Sequence, residues 1–238
     1  MRCPRCGHEA AAQDKFCSEC GRFLRDASVD QRLLLALVHM REGRSREARN
    51  ELERLLDAEP AHALANHCLG AVYFHQGMLD RAIECYQKAI AAAPTFILAQ
   101  YDLGVAWYHR GNMTEAAKAY RRCLEADKNY NAAHYRLALC LFHSGELDAA
   151  LEHFERAVLL TPEYLMARYH IGVVHERRGD LARAEQEFNR SREESVSEVS
   201  SLYHLALIYR SRGESAKAEE VLKRAHDFGL KNAAASKP

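Results

Sequence analysis

Residues 97–130 read ILAQYDLGVAWYHRGNMTEAAKAYRRCLEADKNY, and this stretch decides the fold because most of its features return every 34 residues. Its glycine at 111 belongs to a series at 43, 77, 111, 145, 179 and 213. Its alanine at 116 belongs to a series at 48, 82, 116, 150, 184 and 218, with no insertion between copies. A fixed period of this length is the mark of stacked supersecondary units and governs every local reading.

Frames starting at Val29, Ala63, Ile97, Asn131, Leu165 and Val199 align six copies. Position seven is Leu35, Leu69, Leu103, Leu137, Ile171 and Leu205, and position eight is always small: Ala36, Gly70, Gly104, Ala138, Gly172 and Ala206. Position twenty-four is bulky and apolar: Leu52, Tyr86, Tyr120, Phe154, Phe188 and Leu222. Three copies close on Pro60, Pro94 and Pro162. Apolar residues recur at helical spacing on both sides of a glycine suited to positive φ, which predicts a helical hairpin per copy. Asp80, Thr114 and Asp148, three residues beyond that glycine, suit the N-cap of the second helix. Small residues at positions eight and twenty allow the two helices to approach closely. A lone hairpin cannot bury its apolar face, so the copies must stack around one continuous core.

On these residues the chain resembles the tetratricopeptide repeat family over about residues 29–228. The resemblance implies an all-α, right-handed α-solenoid of six helix-turn-helix units: 29–62, 63–96, 97–130, 131–164, 165–198 and 199–228. It implies a binding scaffold rather than a particular task.

The N-terminus, CPRCGHEAAAQDKFCSECG, sets Cys3 and Cys6 against Cys17 and Cys20, each pair followed by a glycine. Two CxxCG turns at this spacing aim four thiolates at one point and predict a structural zinc site in a short zinc ribbon over residues 1–25. Iron fits less well, because the longer loop between the knuckles of rubredoxin-like sites is missing. His8 is surplus to a complete ligand set and reads as a loop residue. So small a segment folds by coupling to its metal. Residues 26–28 form a short link carrying a Ser28 to Gln31 capping-box pattern, and 229–238 read as a flexible tail.

Lys+Arg and Asp+Glu are both 33, and the pI is about 7.2, which gives no general pull toward nucleic acid or an anionic membrane. Residues 1–26 hold five basic and four acidic side chains, too thin a footprint for phosphate recognition. The longest apolar run, LLLALV at 33–38, is far short of a spanning helix. MRCPRCG offers no signal-peptide core, so a reducing, cytoplasmic setting is expected. Cys68, Cys85, Cys123 and Cys140 are then small buried hydrophobes. HERRG at 175–179 is not HExxH, and no phosphate loop or nucleophile-base pair is present, so no enzyme is expected.

The resemblance assigns positions five, nine and twelve of each first helix to the concave groove. Position five reads His67, Tyr101, Tyr135, Tyr169 and Tyr203 from the second copy on, position twelve includes Phe74, Tyr108 and Phe142, and position thirteen adds His75, His109 and His143. Such a surface suits an amphipathic helix or an extended peptide of a partner protein. The alternative is that these rings fill gaps between helices. The Lys and Asn clamp by which some family members hold a C-terminal carboxylate is missing, as positions five and nine are His67 with Ala71, Tyr101 with Val105 and Tyr135 with Leu139. The expected function is a protein-binding adaptor. The competing reading is a regulator whose ribbon contacts nucleic acid or senses thiol oxidation while the repeats recruit a partner. Solenoid ends can also self-associate.

Positions twenty-one and twenty-eight turn polar in the last two copies, at Glu185, Arg192, Glu219 and His226. With SREESVSEVSS at 191–201, this predicts a weaker joint between the fifth and sixth units.

Overall fold

A computed structural model describes residues 2, 3, 6–9, 17–20, 31–191 and 197–235. The link at 26–28 and the Ser28 cap lie outside the described residues, as does Arg192 in the joint. Among the described residues there are twelve helices and no strand. They are α1 Gln31–Arg41, α2 Ser45–Ala58, α3 Ala63–His75, α4 Leu79–Ala92, α5 Ile97–His109, α6 Met113–Ala126, α7 Asn131–His143, α8 Leu147–Leu160, α9 Leu165–Arg177, α10 Leu181–Ser191, α11 Ser197–Ser211 and α12 Ser215–Ala235. Helix α1 packs on α2, α3 on α4, α5 on α6, α9 on α10 and α11 on α12 as hairpins, which is an all-α solenoid class. The helix α12 runs to Ala235, beyond the end expected at 228.

Each turn is made the same way. Gly111 sits at φ 83°, a left-handed conformation with open space around its Cα, and its N–H bonds Tyr108 O at 2.9 Å. The second helix then starts sooner than the sequence suggests. Its N-cap is Asn112, whose side chain accepts a 3.1 Å hydrogen bond from Glu115 N, and the equivalent caps are Met78 and Glu146. Asp80, Thr114 and Asp148 therefore stand in the first turn and not at the cap. The correction has a physical cause: one left-handed residue already reverses the chain, so only one non-helical residue separates it from the next helix. The first-turn carboxylates gain another use, since Asp80 pairs with Arg110 and Asp148 with Arg178, each at 2.9 Å.

The chain divides into two compact units, Met1–Arg136 and Leu137–Pro238, and each is described by itself. In the first, Leu33, Leu52, Leu55, Leu69, Tyr86 and Leu103 share one apolar core. In the second, Phe188, Leu202, Leu205, Ile208 and Tyr209 share another. The position-twenty alanines are all buried, from Ala48 to Ala218. Position eight explains its own alternation. A Cβ on Gly70, Gly104 or Gly172 would lie 2.6–2.7 Å from the ring of Tyr86, Tyr120 or Phe188 in the same hairpin. One expected core residue departs: Leu35 at position seven is 45% exposed, whereas Leu33 is fully buried. Leu69 at position seven shares its core with Leu52 and Leu55 of the preceding hairpin, whereas no helix among the described residues precedes α1.

A second regularity escaped the sequence reading. At position four, Asn66 donates to Pro60 O at 2.9 Å, Gln100 to Pro94 O at 3.1 Å and Arg168 to Pro162 O at 3.3 Å, and His134 Nε2 sits 2.9 Å from Lys128 O. Four unlike side chains satisfy the same inter-unit turn carbonyl, because each brings an N–H to one place. Residue identity hides this pattern; hydrogen-bonding capacity carries it.

Candidate functional site

The four N-terminal cysteines come together as their spacing requires. Cys3 Sγ lies 3.5 Å from Cys20 Sγ and Cys6 Sγ lies 3.4 Å from Cys17 Sγ, with all four sulfurs within 4.8 Å of one another. A tetrahedral ion with Zn–S bonds of about 2.3 Å needs sulfurs about 3.8 Å apart. These nearest pairs are not disulfides, since an S–S bond is about 2.05 Å and the sulfurs stand 3.4–3.5 Å apart. The first knuckle is closed by Gly7 at φ 76°, by Gly7 N–H to Cys3 O at 2.9 Å, and by Cys3 N–H to His8 O at 2.8 Å. Cys3 and Cys17 are buried, Cys20 is half-buried and Cys6 is exposed. Burial pushes the Cys17 thiol up to about 12, so a bare thiolate there is unfavourable and a cation is what would hold it ionised. The donor set thus fits a soft, tetrahedral metal ion.

His8 is more than a loop residue. Its Nε2 shares a 3.2 Å hydrogen bond with Ser18 Oγ, and its Nδ1 lies 3.7 Å from Glu19 Oε1. The imidazole joins the first knuckle to the second, outside the sulfur cluster.

The first-helix aromatic row divides by environment. Tyr101 is half-buried, with ring centroids 5.7 Å from Tyr120 and 5.4 Å from Tyr130. His67 lies 5.0 Å from the Phe96 ring and 5.7 Å from Tyr86. Tyr169 is 5.9 Å from Phe188. Position-five rings therefore lean on position twenty-four of their own hairpin, and in two copies on the aromatic that ends it. Tyr135 and Phe142 are buried at 9% and 6%, with Arg177 stacked 4.0 Å over the Phe142 ring. Phe74 and Tyr108 are half-buried, and His75, His109 and His143 are exposed at the helix ends. His109 meets Phe74 edge-on at 5.3 Å. Tyr203 stands 52% exposed, with Leu207 one turn on at 58%.

Polar pairs bind the row from copy to copy. His67 Nε2 lies 2.7 Å from Asp102 Oδ2, and Tyr169 Oη lies 3.2 Å from His204 Nε2. Both pairs join position five of one copy to position six of the next. His204 also stacks on Phe188 at 4.8 Å, with Nδ1 2.8 Å from Glu176 Oε2. The 35-residue offset was visible in the sequence, but only stacking makes it a contact.

An open cleft of about 610 Å³ on the first unit, lined by Leu56, Asp57, Asn66, Leu69, Cys85 and Lys88, was also missed. Burial pushes the Cys85 thiol up to about 11, so it is a poor nucleophile at neutral pH. Cys68 and Cys123 are each held at about 12 by the same effect, in keeping with their packing role. No helix among the described residues is long and apolar enough to cross a membrane.

Family profiles described as tetratricopeptide repeat match residues 33–95 and 144–197, 108–170, and 201–233. No curated protein matches the chain. Among solved structures, MamA (residues 41 to the end) from Desulfovibrio magneticus RS-1 is 22% identical, with 70% of this chain and 96% of that one covered at a TM-score of 0.65. YrrB, titled a TPR protein with an unusual peptide-binding site, is 22% identical over 74% of this chain and 91% of that one, at 0.64. Pseudomonas aeruginosa PilF is 19% identical over 87% and 97%, at 0.69. At these identities the likeness is one of fold. With twelve helices among the described residues and three repeat profiles that together match most of 33–233, the chain belongs to the tetratricopeptide repeat family.

Proposed function

We propose that the protein is a non-enzymatic, cytoplasmic adaptor that binds a segment of a partner protein on the inner faces of its repeats, with a structural zinc ion in its N-terminal cysteine knuckles. The observation that carries this reading is the first-helix row. In the second unit it leaves Tyr203 and Leu207 exposed, with tyrosine and imidazole edges beside apolar surface. In the first unit it offers His67, Phe74, Tyr101 and Tyr108 half-buried, with His75 and His109 at the rim. Broad apolar rings with polar edges suit one face of an amphipathic helix or an extended peptide. Tyr135 and Phe142 act as supports beneath that surface, and His143 and Tyr169 belong to its edge.

YrrB's titled peptide-binding site is in keeping with a peptide-sized ligand here. The zinc assignment rests on four cysteine sulfurs within 4.8 Å of one another, and its chemistry is structural, because four cysteines leave no open coordination position.

Affinity capture run with the parent protein and with Tyr203→Ala/Leu207→Ala tests the assignment. Both residues are exposed, so the variant keeps its core. A partner lost by the variant at unchanged helical content is the expected result; a partner retained at full yield rules this face out.

A further inference from the structure

Among the described residues, the first repeat leaves an apolar stripe of α1 open. On α1, Leu34, Leu35, Leu37 and Val38 are 50%, 45%, 38% and 38% exposed. Later copies supply an internal control. Leu69, Leu103 and Ile171 at position seven are at most 6% exposed, and Val72, Ala106 and Val174 at position ten at most 3%. In those copies the second helix of the preceding unit lies against the first helix, as α2 does on α3 and α4 on α5. Leu35 and Val38 thus have the side chains of an internal joint and no described residue to complete it.

We propose that the N-terminal cysteine module and its tether dock on this stripe of α1 as the end cap of the repeat array. The inference rests on reading the cysteines as a metal-held module. Ten residues, 21–30, separate Cys20 from Gln31, a reach of at most about 35 Å. A tether this short holds its module at an effective concentration on the order of mM, far above that of a second copy in dilute solution. The segment also carries Phe16, Phe23 and Leu24. A module of about twenty residues has no core large enough to bury three such side chains by itself. The apolar surplus on both sides of the tether is complementary, and burying it removes an exposed patch that would otherwise promote association.

Hydroxyl-radical footprinting of the full chain reads the exposure of these side chains, with metal content measured on the same sample and Leu207 as the exposed reference. Docking predicts that Leu35 and Val38 are modified several-fold more slowly than Leu207 at any protein concentration. It also predicts that Phe23→Lys/Leu24→Lys, which leaves the cysteines and α1 intact, raises their modification to the Leu207 level. Modification as fast as Leu207 in the parent protein overturns the proposal. So does protection that the variant retains, or protection that disappears on dilution, which assigns the stripe to a second copy. If the protection and its loss are seen in protein that holds no metal, the docking stands and the zinc assignment fails.

Discussion

His170 on α9 lies 5.2 Å from the Phe154 ring with the planes 9° apart. Burial first, and the nearby His143 second, lower its pKa from the usual 6.5 to about 4. The unfolded chain binds this proton at a higher pH than the folded one. Stability is therefore whole above pH 6.5 and falls as the pH drops toward 4, by about 1–3 kcal/mol from this group. Urea denaturation at pH 7 and pH 5 should show the loss in the parent protein and a smaller one in His170→Phe, which keeps the ring without the titration. Equal losses would assign the acid sensitivity elsewhere. Glu185 works in the same direction: although burial raises its pKa, hydrogen bonds from Arg212 and Tyr209 hold it below the usual carboxylate value. Neither shift is legible in the sequence, because each depends on a ring or guanidinium brought from another element of the fold.

Within a hairpin, the distance between helices is set by positions eight and twenty-four together. Copies with glycine at eight carry Tyr86, Tyr120 or Phe188 at twenty-four, and two of the three copies with alanine carry Leu52 or Leu222. Gly104→Ala improves helix propensity by about 1 kcal/mol. It also drives a methyl into the fully buried Tyr120 ring, 2.6 Å away, where overpacking costs about 1–3 kcal/mol. The clash should win, lowering the thermal midpoint, and Tyr120→Leu in the same chain should recover part of the loss by reproducing the alanine–leucine pairing. A double variant no more stable than Gly104→Ala would show that the ring is not what resists the methyl. This pairing could be read from the repeat alignment. The position-four bonds to the turn carbonyls could not, since asparagine, glutamine, histidine and arginine look unrelated until their N–H groups reach the same oxygen.

Across a repeat array, stability is nearly a sum of unit and nearest-neighbour terms, so one poor joint shows as local exchange. The joint between the fifth and sixth repeats combines an apolar core with polar ties. Ser191 and Ser201 share a buried 2.8 Å hydrogen bond, and Tyr209 donates to Glu185 at 2.9 Å. A hydroxyl pair contributes less than the alanines that fill the equivalent place at Ala89 and Ala157. Amides in 199–228 should therefore exchange faster than those in 97–126 by native-state hydrogen exchange. Uniform protection from 63 to 228 would show that the polar ties compensate in full.

The sequence alone determined the repeat, its 34-residue register, the hairpin in each copy and the four-cysteine cluster. All of these rest on short-range geometry: helical periodicity, a left-handed glycine, and two CxxCG turns. The tertiary structure alone decided which aromatic rings are spent inside the array and which stay open. Tyr135 and Tyr203 occupy the same position and differ from 9% to 52% exposure. It also decided that Leu35 is 45% exposed while Leu69 and Leu103, at the same position of later copies, are buried. Burial at such positions is a property of the neighbouring copy, and a periodic sequence assigns every copy the same surroundings until its ends are built.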